Sequence, residues 1–363
     1  MRNTFLFLWP LLFLAGISAC DNDYRRPAQG PFSEVLVVMD STRWDSSTAE
    51  AIRHTFGSEI MTLPRPEERY DLRFMTLRSN NDLEYAKRHK NAIFVATIDE
   101  ESNVGSYIRS TISDDIAERV RSEQNFAFPL RDRWYKNQWT LILSSTDDET
   151  LAAKIRDTGQ SLVSNLDSVE IQRWQQEVYR RGEQIELSDS LMNTHGFSIR
   201  VQHDYNIGVD TTDFVSLRRF LSDNDRWIWV WWQDDVDNID HIDSEWINAK
   251  RDSLQEQYIR GSREESYVQT EYRRQVETTP TRINGRRAFE TRGTWRMEND
   301  LMGGPFLNYT VFDEDQDRLY LMEFAQFAPG HTKRRFVYQF EAMANTFDTD
   351  STWMNQQAIT SSN

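Results

Sequence analysis

One stretch of the sequence, residues 292–304, combines ligand-binding side chains with turn-forming residues. Two cations, an aromatic ring, an amide, two acids and two glycines occupy it: Arg292, Trp295, Arg296, Glu298, Asn299, Asp300, Gly303 and Gly304. The flanking runs 288–295 and 306–312 read as strands, which predicts a polar loop held by a rigid sheet, with glycines that let backbone approach a ligand. The alternative is a scaffold: Trp295 in the core, Arg292 paired with an acid on a neighbouring strand, and glycines that only turn the chain.

The chemistry open to this loop depends on its carboxylates. Glu298 and Asp300 lie two residues apart, and paired carboxylates can serve as general acid and base, although such spacing is also common in structural loops. The sequence has no Gly-x-Ser-x-Gly, His-Glu-x-x-His or phosphate-binding glycine motif, and its six histidines show no ligand-like spacing. We therefore expect a non-catalytic binding or assembly factor without metal or cofactor. The alternative is a hydrolase that acts on an envelope polymer through these two carboxylates.

Two acidic runs are better explained by structure than by cation binding. Residues 313–317 space their acids like a calcium loop, but Arg318 stands where the tight turn needs glycine and Phe324 where a bidentate glutamate is needed. A hairpin turn is therefore predicted. The acids of residues 234–243 directly precede a predicted helix, whose N-terminus favours negative charge.

Two other runs each allow two interpretations. Residues 227–232 alternate so that both faces of a strand would be apolar, which favours a buried central strand over a partly exposed aromatic platform. The cations Lys333, Arg334 and Arg335 begin a predicted helix, where positive charge opposes the macrodipole. Acidic neighbours are the favoured explanation of how that charge is offset, and an anionic partner is the alternative.

The N-terminus indicates a lipid anchor. An apolar run at residues 5–13 leads to Leu14-Ala15-Gly16-Ile17-Ser18-Ala19-Cys20; small residues before a cysteine suit cleavage by a signal peptidase. This resembles the lipobox of bacterial lipoproteins, with residues 1–19 as signal peptide and Cys20 as the lipid attachment site. The alternative, a transmembrane anchor, is disfavoured because the apolar segment is short.

Net charge and cysteine content limit the kinds of partner and site that the sequence predicts. A net charge of −16 over 363 residues argues against nucleic acid, and an acylated Cys20, the only cysteine, leaves no disulfide or thiol site. The expected partners are the membrane, through the lipid, and an envelope protein or polymer. The expected location is the cell envelope, at the outer membrane, and the oligomeric state is left open.

The pattern of elements predicts an α+β protein. A tether at 20–32 precedes a first domain at 33–193, in which strands alternate with helices and a long helical segment closes the domain. Within the first domain we expect buried strands at 34–39 and 92–98, a helix capped by Ser47, one helix in an insertion at 103–130, and breaks at Gly159 and Gly182 in the closing helical segment. The second domain, 194–347, is expected to contain a mostly antiparallel sheet packed by two helices, with a first strand at 197–201. A polar tail follows at 348–363.

The chain resembles a family of uncharacterised bacterial lipoproteins, a domain of unknown function. The stretches that carry this resemblance are Glu34–Asp40 with Trp44, Asn91–Val95, Lys250–Ser253, Asn284–Arg286, Arg292–Trp295 and Glu298–Phe306. Departures are Lys90, where the family usually has arginine, and an insertion at 103–130. The resemblance implies a lipid-anchored envelope protein and no established activity. The layout of the second half is also similar to the PsbP/Mog1-like fold, an analogy of element order without shared site residues.

Overall fold

The computed structural model describes residues 24–221 and 223–349. The predicted signal peptide, Cys20 and residues 350–363 of the predicted tail lie outside these ranges. No helix within them is both long and apolar enough to cross a membrane.

The first half of the chain forms a three-layer α/β unit. Its elements are β1 (Glu34–Val38), α1 (Ser47–Phe56), β2 (Glu59–Ile60), β3 (Glu67–Glu68), β4 (Asp71–Met75), α2 (Asn80–Arg88), β5 (Asn91–Val95), α3 (Asn103–Thr111), α4 (Asp114–Arg121), β6 (Ala127–Arg131), β7 (Trp139–Leu143) and α5 (Asp148–Tyr179). The main sheet has the order β4-β1-β5-β7-β6 and is parallel except at β6. Helices α1 and α5 cover one face and α2 and α3 the other, which explains the continuous apolar runs of β1 and β5.

The second half is an antiparallel sheet between helices. Its elements are α6 (Ile185–His195), β8 (Asn206–Asp210), β9 (Phe214–Arg219), β10 (Asp225–Gln233), α7 (Ser244–Tyr258), β11 (Val268–Thr270), β12 (Glu277–Ile283), β13 (Arg286–Met297), β14 (Gly303–Asp313), β15 (Arg318–Phe327) and α8 (Arg334–Ala344). The order is β11-β13-β14-β15-β10-β9-β8, with β12 also pairing β13. Helices α6 and α8 cover one face and α7 the other. The predicted α+β class is confirmed.

The tryptophan-rich strand is buried on both faces. Trp227, Trp229 and Trp231 pack in the cluster beneath α7, whereas Ile228, Val230 and Trp232 of β10 pack in the opposite cluster. Trp227 is the most exposed of them, at 6%. The prediction of a central core strand is confirmed, and this side of the sheet offers no exposed aromatic platform at β10.

Several local predictions are wrong. Residues 197–201 are not a strand: Ser198 forms only an isolated bridge, and its neighbours are core residues beneath the sheet. Residues 103–130 contain two helices and most of an edge strand, where one helix is predicted. Residues 27–32, predicted as tether, bridge to Lys136 and His89 and end at Phe32, whose ring packs on a tryptophan of α5.

Two helix details also differ from the sequence prediction. The α1 N-cap is Ser46, whose hydroxyl accepts from the Ala49 amide; Ser47 instead bonds α5. Helix α5 runs unbroken through Gly159, where the missing side chain leaves room for Thr55 of α1. The predicted break at Gly182 is confirmed, since this residue lies between α5 and α6 with φ +114°.

The two halves meet along α5 and α8. The ring of Trp174 stacks on Tyr338, and the Tyr338 hydroxyl donates to the Arg69 carbonyl oxygen at 2.8 Å. Glu67 accepts from the Lys333 and Arg334 amides at 2.6 and 3.0 Å. Acidic neighbours therefore offset the cationic start of α8, as the sequence predicts.

Candidate functional site

The predicted loop is a short, closed hairpin turn. Strands β13 and β14 pair as far as Arg296 and Gly303, and the Met297 amide donates to the Met302 carbonyl oxygen at 2.9 Å. Only residues 298–302 remain outside the ladder, so the loop is half as long as the strand pattern 288–295 and 306–312 predicts. We call Glu298–Met302 the 298–302 turn.

Glu298 and Asn299 tie this turn to neighbouring segments. The Glu298 carboxylate accepts from Arg296 Nη1 at 2.8 Å and from Gln269 of β11. Asn299 has φ +55°, a left-handed conformation that asparagine tolerates better than most residues. The side-chain amide of Asn299 donates to the Glu265 carbonyl oxygen at 3.3 Å. These contacts hold the turn in one conformation.

The turn presents an apolar side chain at its tip. Asp300 accepts from the Leu301 amide at 2.7 Å and lies 3.6 Å from the Arg263 guanidinium. The Leu301 side chain is 100% exposed, while Met302 packs against the core below α7. Burying a leucine is worth about 1.5–3 kcal/mol, so a leucine held in water by a fixed turn is available to a binding partner.

Three of the predicted site residues, Trp295, Gly303 and Gly304, are packed against other parts of the protein. Trp295 is fully buried and packs edge-on against Trp227 at 4.9 Å. A side chain at Gly304 would lie 1.9 Å from the Gln326 carbonyl oxygen, and one at Gly303 would lie 2.9 Å from the Trp295 carbonyl oxygen. The glycines therefore permit close packing of strands β13, β14 and β15, and the atoms that approach them belong to the protein itself.

Arg292 lies apart from the turn. It is six residues from Glu298 along β13, about 20 Å at the rise of an extended strand. Its guanidinium contacts Glu290 at 2.5 Å and Glu341 of α8 at 2.7 Å. The structure thus divides the predicted set into three groups: Glu298, Asn299 and Asp300 of the turn with Arg296 of β13, which bonds Glu298; the strand-packing residues Trp295, Gly303 and Gly304; and Arg292.

Arg292 lines a polar cleft between the two halves, of about 260 Å³. Residues 58–62 and Arg69 line it from the first half, and Glu290, Arg292 and Tyr338 from the second. Arg69 is held by Asp167 of α5 at 2.8 Å. Apart from Arg292, none of these cleft residues is predicted from the sequence. The alternation of Glu290 and Arg292 in a strand is a usable signal, because charges on a covered face need partners.

The carboxylates around Arg292 differ in their electrostatics. Burial opposes ionisation of Glu290, but Arg292 and the Tyr309 hydroxyl outweigh it and hold the pKa of Glu290 below its ordinary value. Burial raises the pKa of Glu341 against the opposing effect of Arg292. Two carboxyl groups whose pKa values are shifted in opposite directions can act as an acid and a base. Glu341, however, does not line the cleft. The group therefore acts as a link between β13 and α8.

No cluster of three or more histidine, cysteine or acidic residues in the described ranges could hold a metal ion. The 313–317 run forms the β14–β15 turn, as predicted, with Asp313 accepting from the Asp315 amide. Asp243 caps α7 by accepting from the Trp246 amide at 2.8 Å, and Asp234 pairs with Arg318. Both acidic runs thus have structural partners.

Comparisons with known proteins identify two domains of unknown function. No curated protein matches the chain. Among solved structures, the Ran-binding protein Mog1p of Saccharomyces cerevisiae is 10% identical with a TM-score of 0.30, covering 44% of this chain and 93% of its own. A mutant form of protein Mog1 is also 10% identical, with a TM-score of 0.29 and coverage of 44% and 94%. Residues 28–179 match the model of domain of unknown function DUF8532, and residues 184–346 match that of domain of unknown function DUF4837.

Proposed function

We propose that this protein is a lipid-anchored component of the cell envelope and a non-catalytic binding or assembly factor. The Ile17–Cys20 sequence supports the anchor, with the lipid on Cys20 and the outer membrane as its location. Acyl chains contribute about 0.8 kcal/mol per buried methylene, so several chains on one cysteine hold a protein firmly. The partner we propose is an envelope protein or polymer that contacts the 298–302 turn.

The fully exposed Leu301 on a pinned turn carries this proposal. An apolar anchor supplies binding energy when a partner covers it. Because Glu298, Asn299 and Asp300 already hold the turn, little conformational entropy is lost on binding. The polar residues of the turn then act by positioning the leucine.

The hydrolase alternative has less support from this geometry. A catalytic acid or base must reach the proton that it transfers. Glu298 instead faces Arg296 and Gln269, and Asp300 faces a backbone amide and Arg263. The turn is also convex, with Leu301 at its tip. These contacts favour binding over hydrolysis.

Capture from native membranes tests the binding surface. The full chain with Leu301→Ala is compared with wild type and with Ile185→Ala, a control at another exposed aliphatic residue, 57% exposed at the start of α6. We expect Leu301→Ala alone to lose the captured partner, with both melts within about 0.5 kcal/mol of wild type, as for surface substitutions. Retained capture by Leu301→Ala would remove the turn from the proposal. Leu301 is the better probe than Asn299, whose replacement by alanine would strain a left-handed position.

A separate measurement tests the anchor. Metabolic labelling with a fatty-acid analogue should acylate wild type and leave Cys20→Ser unlabelled and uncleaved. Equal label on both proteins would place the lipid elsewhere. The two experiments are independent, because the anchor requires nothing of the turn.

A further inference from the structure

A recess at one end of the second sheet concentrates positive charge in an acidic protein. It has a volume of about 320 Å³, at the small end of ligand pockets. Five arginines line it: Arg180, Arg181, Arg219, Arg226 and Arg335. The chain as a whole carries a net charge of −16, so this local excess of cations is opposite in sign to the molecule. The recess shares no lining residue with the cleft or the 298–302 turn.

Two of the five arginines are neutralised by neighbours. Arg180 forms two bonds to the Glu177 carboxylate, at 2.9 and 3.2 Å. Arg219 pairs with Asp204 at 2.5 Å. These cations hold the wall of the recess and contribute little free charge to it.

The other three arginines have no carboxylate within ion-pair distance among residues 24–221 and 223–349. Arg181 and Arg335 are exposed at the rim. Arg226 is only 3% exposed. Two carboxylates also line the recess, but Glu177 is held by Arg180 and Asp223 lies 3.5 Å from His331. Three arginines that pair with neither carboxylate are an arrangement that an anionic ligand would complete.

Arg226 is the most telling of the three. Its hydrogen-bond partners are neutral, the Asn224 and Gln339 side-chain oxygens at 3.1 and 2.9 Å, and its guanidinium lies 4.3 Å from the centre of the Phe336 ring. Burial lowers the pKa of Arg226 to about 10. Burying a charge without a carboxylate in direct contact is costly, so the fold tolerates here a cation that a bound anion would stabilise.

We propose that this recess is a binding site for a phosphate-bearing ligand. Guanidinium groups bind phosphate through paired hydrogen bonds, and three uncompensated cations fit a doubly charged phosphate better than a single carboxylate. The volume exceeds that of an isolated ion, so the ligand is a small phosphorylated molecule or a lipid headgroup. The site is separate from the proposed function of the turn and does not depend on it.

The test uses the full chain in neutral detergent, titrated calorimetrically with inorganic phosphate. The test variant is Arg181→Gln/Arg335→Gln, which removes the two exposed cations and leaves buried Arg226 in place. The control is Arg78→Gln/Arg274→Gln, the same loss of charge at two exposed arginines that do not line the recess. We expect saturable binding by wild type and control, and at least tenfold weaker binding by the test variant.

A second arm identifies the source of the phosphate. Phosphatidic acid, a lipid phosphomonoester that can carry two negative charges, is added to the micelles, and its competition with inorganic phosphate is measured. Competition in wild type would assign a lipid headgroup; binding of inorganic phosphate without competition would assign a soluble phosphorylated compound. The proposal is overturned if wild type binds neither probe saturably, or if the test variant binds phosphate as tightly as the control.

Discussion

The buried pair of Arg251 and Glu323 gives the sharpest prediction about stability. Both side chains are completely buried, and their charged atoms lie 2.5 Å apart between α7 and β15. Arg251 also donates to Thr270 at 3.0 Å and lies 3.5 Å from the centre of the Phe306 ring. Glu323 accepts a second bond from Gln255 at 2.5 Å. Arg251 belongs to the Lys250–Ser253 stretch that carries the family resemblance, and its role is to satisfy this buried carboxylate.

Arg251→Met should destabilise the fold by about 3–5 kcal/mol at pH 8, because it leaves a buried carboxylate without its counter-charge. The double variant Arg251→Met/Glu323→Gln removes both charges and keeps an acceptor for Gln255. We expect it to recover about 2 kcal/mol relative to the single variant, since neutral replacements of buried pairs cost little. Urea unfolding followed by tryptophan fluorescence measures both values.

The pH dependence of the stability of Arg251→Met tests the role of Arg251 a second time. Burial raises the pKa of Glu323 above its ordinary value, against the opposing effect of Arg251, and removing Arg251 should raise it further. A carboxyl group whose pKa is higher in the folded than in the unfolded state binds protons preferentially when folded. Folding is therefore favoured as pH falls below the folded-state pKa toward the unfolded-state pKa. The deficit of Arg251→Met should be smaller at pH 5 than at pH 8.

Two results would refute this account of Arg251. One is a loss below about 1 kcal/mol for the single variant, which would mean that the carboxylate finds another partner. The other is a double variant no more stable than the single, which would mean that packing against Phe306, and not the charge, is what Arg251 contributes.

Two further predictions concern the join between the halves. Glu67→Ala should destabilise the protein by about 1–2 kcal/mol, because it removes the carboxylate that caps α8. The control Glu68→Ala should cost under about 0.5 kcal/mol, since only its backbone oxygen bonds α8; equal urea midpoints would contradict the capping role. A fragment of residues 184–349 should melt cooperatively and at a higher temperature than one starting at 194, because Leu191 belongs to the core under the sheet; equal melting temperatures would contradict this.

The elements that the sequence predicts are those with strong apolar patterns. Strands β1, β5 and β10 are continuous apolar runs because both faces of their sheets are covered. Strands β8 and β12 are missed because they carry no such pattern. Asn206–Asp210 is an almost wholly exposed edge strand, and Glu277–Ile283 is mostly polar with a central proline.

The partners of charged residues are far less predictable, because they are distant in sequence. Arg251 and Glu323 are 72 residues apart. Glu67 and the Lys333 amide that it caps are 266 apart. Residue type identifies each as a group that needs a partner, whereas only the fold decides which partner it has. The run at 333–335 shows how far the sequence can be taken. Its positive charges at a helix N-terminus predict an acidic neighbour, but they do not identify that neighbour as Glu67.

The two candidate surfaces differ in which of their side chains have hydrogen-bond or ion-pair partners. In the 298–302 turn, Glu298, Asp300 and the side-chain amide of Asn299 each form a hydrogen bond with a neighbouring group. The exposed side chain of Leu301 is the one left for a partner. In the recess the reverse holds. Arg226 is buried with only neutral hydrogen-bond partners, and the rim arginines have no carboxylate within ion-pair distance in the described part of the chain. A turn whose polar side chains are all hydrogen-bonded and whose leucine is exposed suits an apolar partner surface. A recess with three arginines outside ion-pair distance of any carboxylate suits an anion. The two proposals therefore assign chemically different ligands to separate sites on the same domain, and Leu301→Ala should leave phosphate binding unchanged.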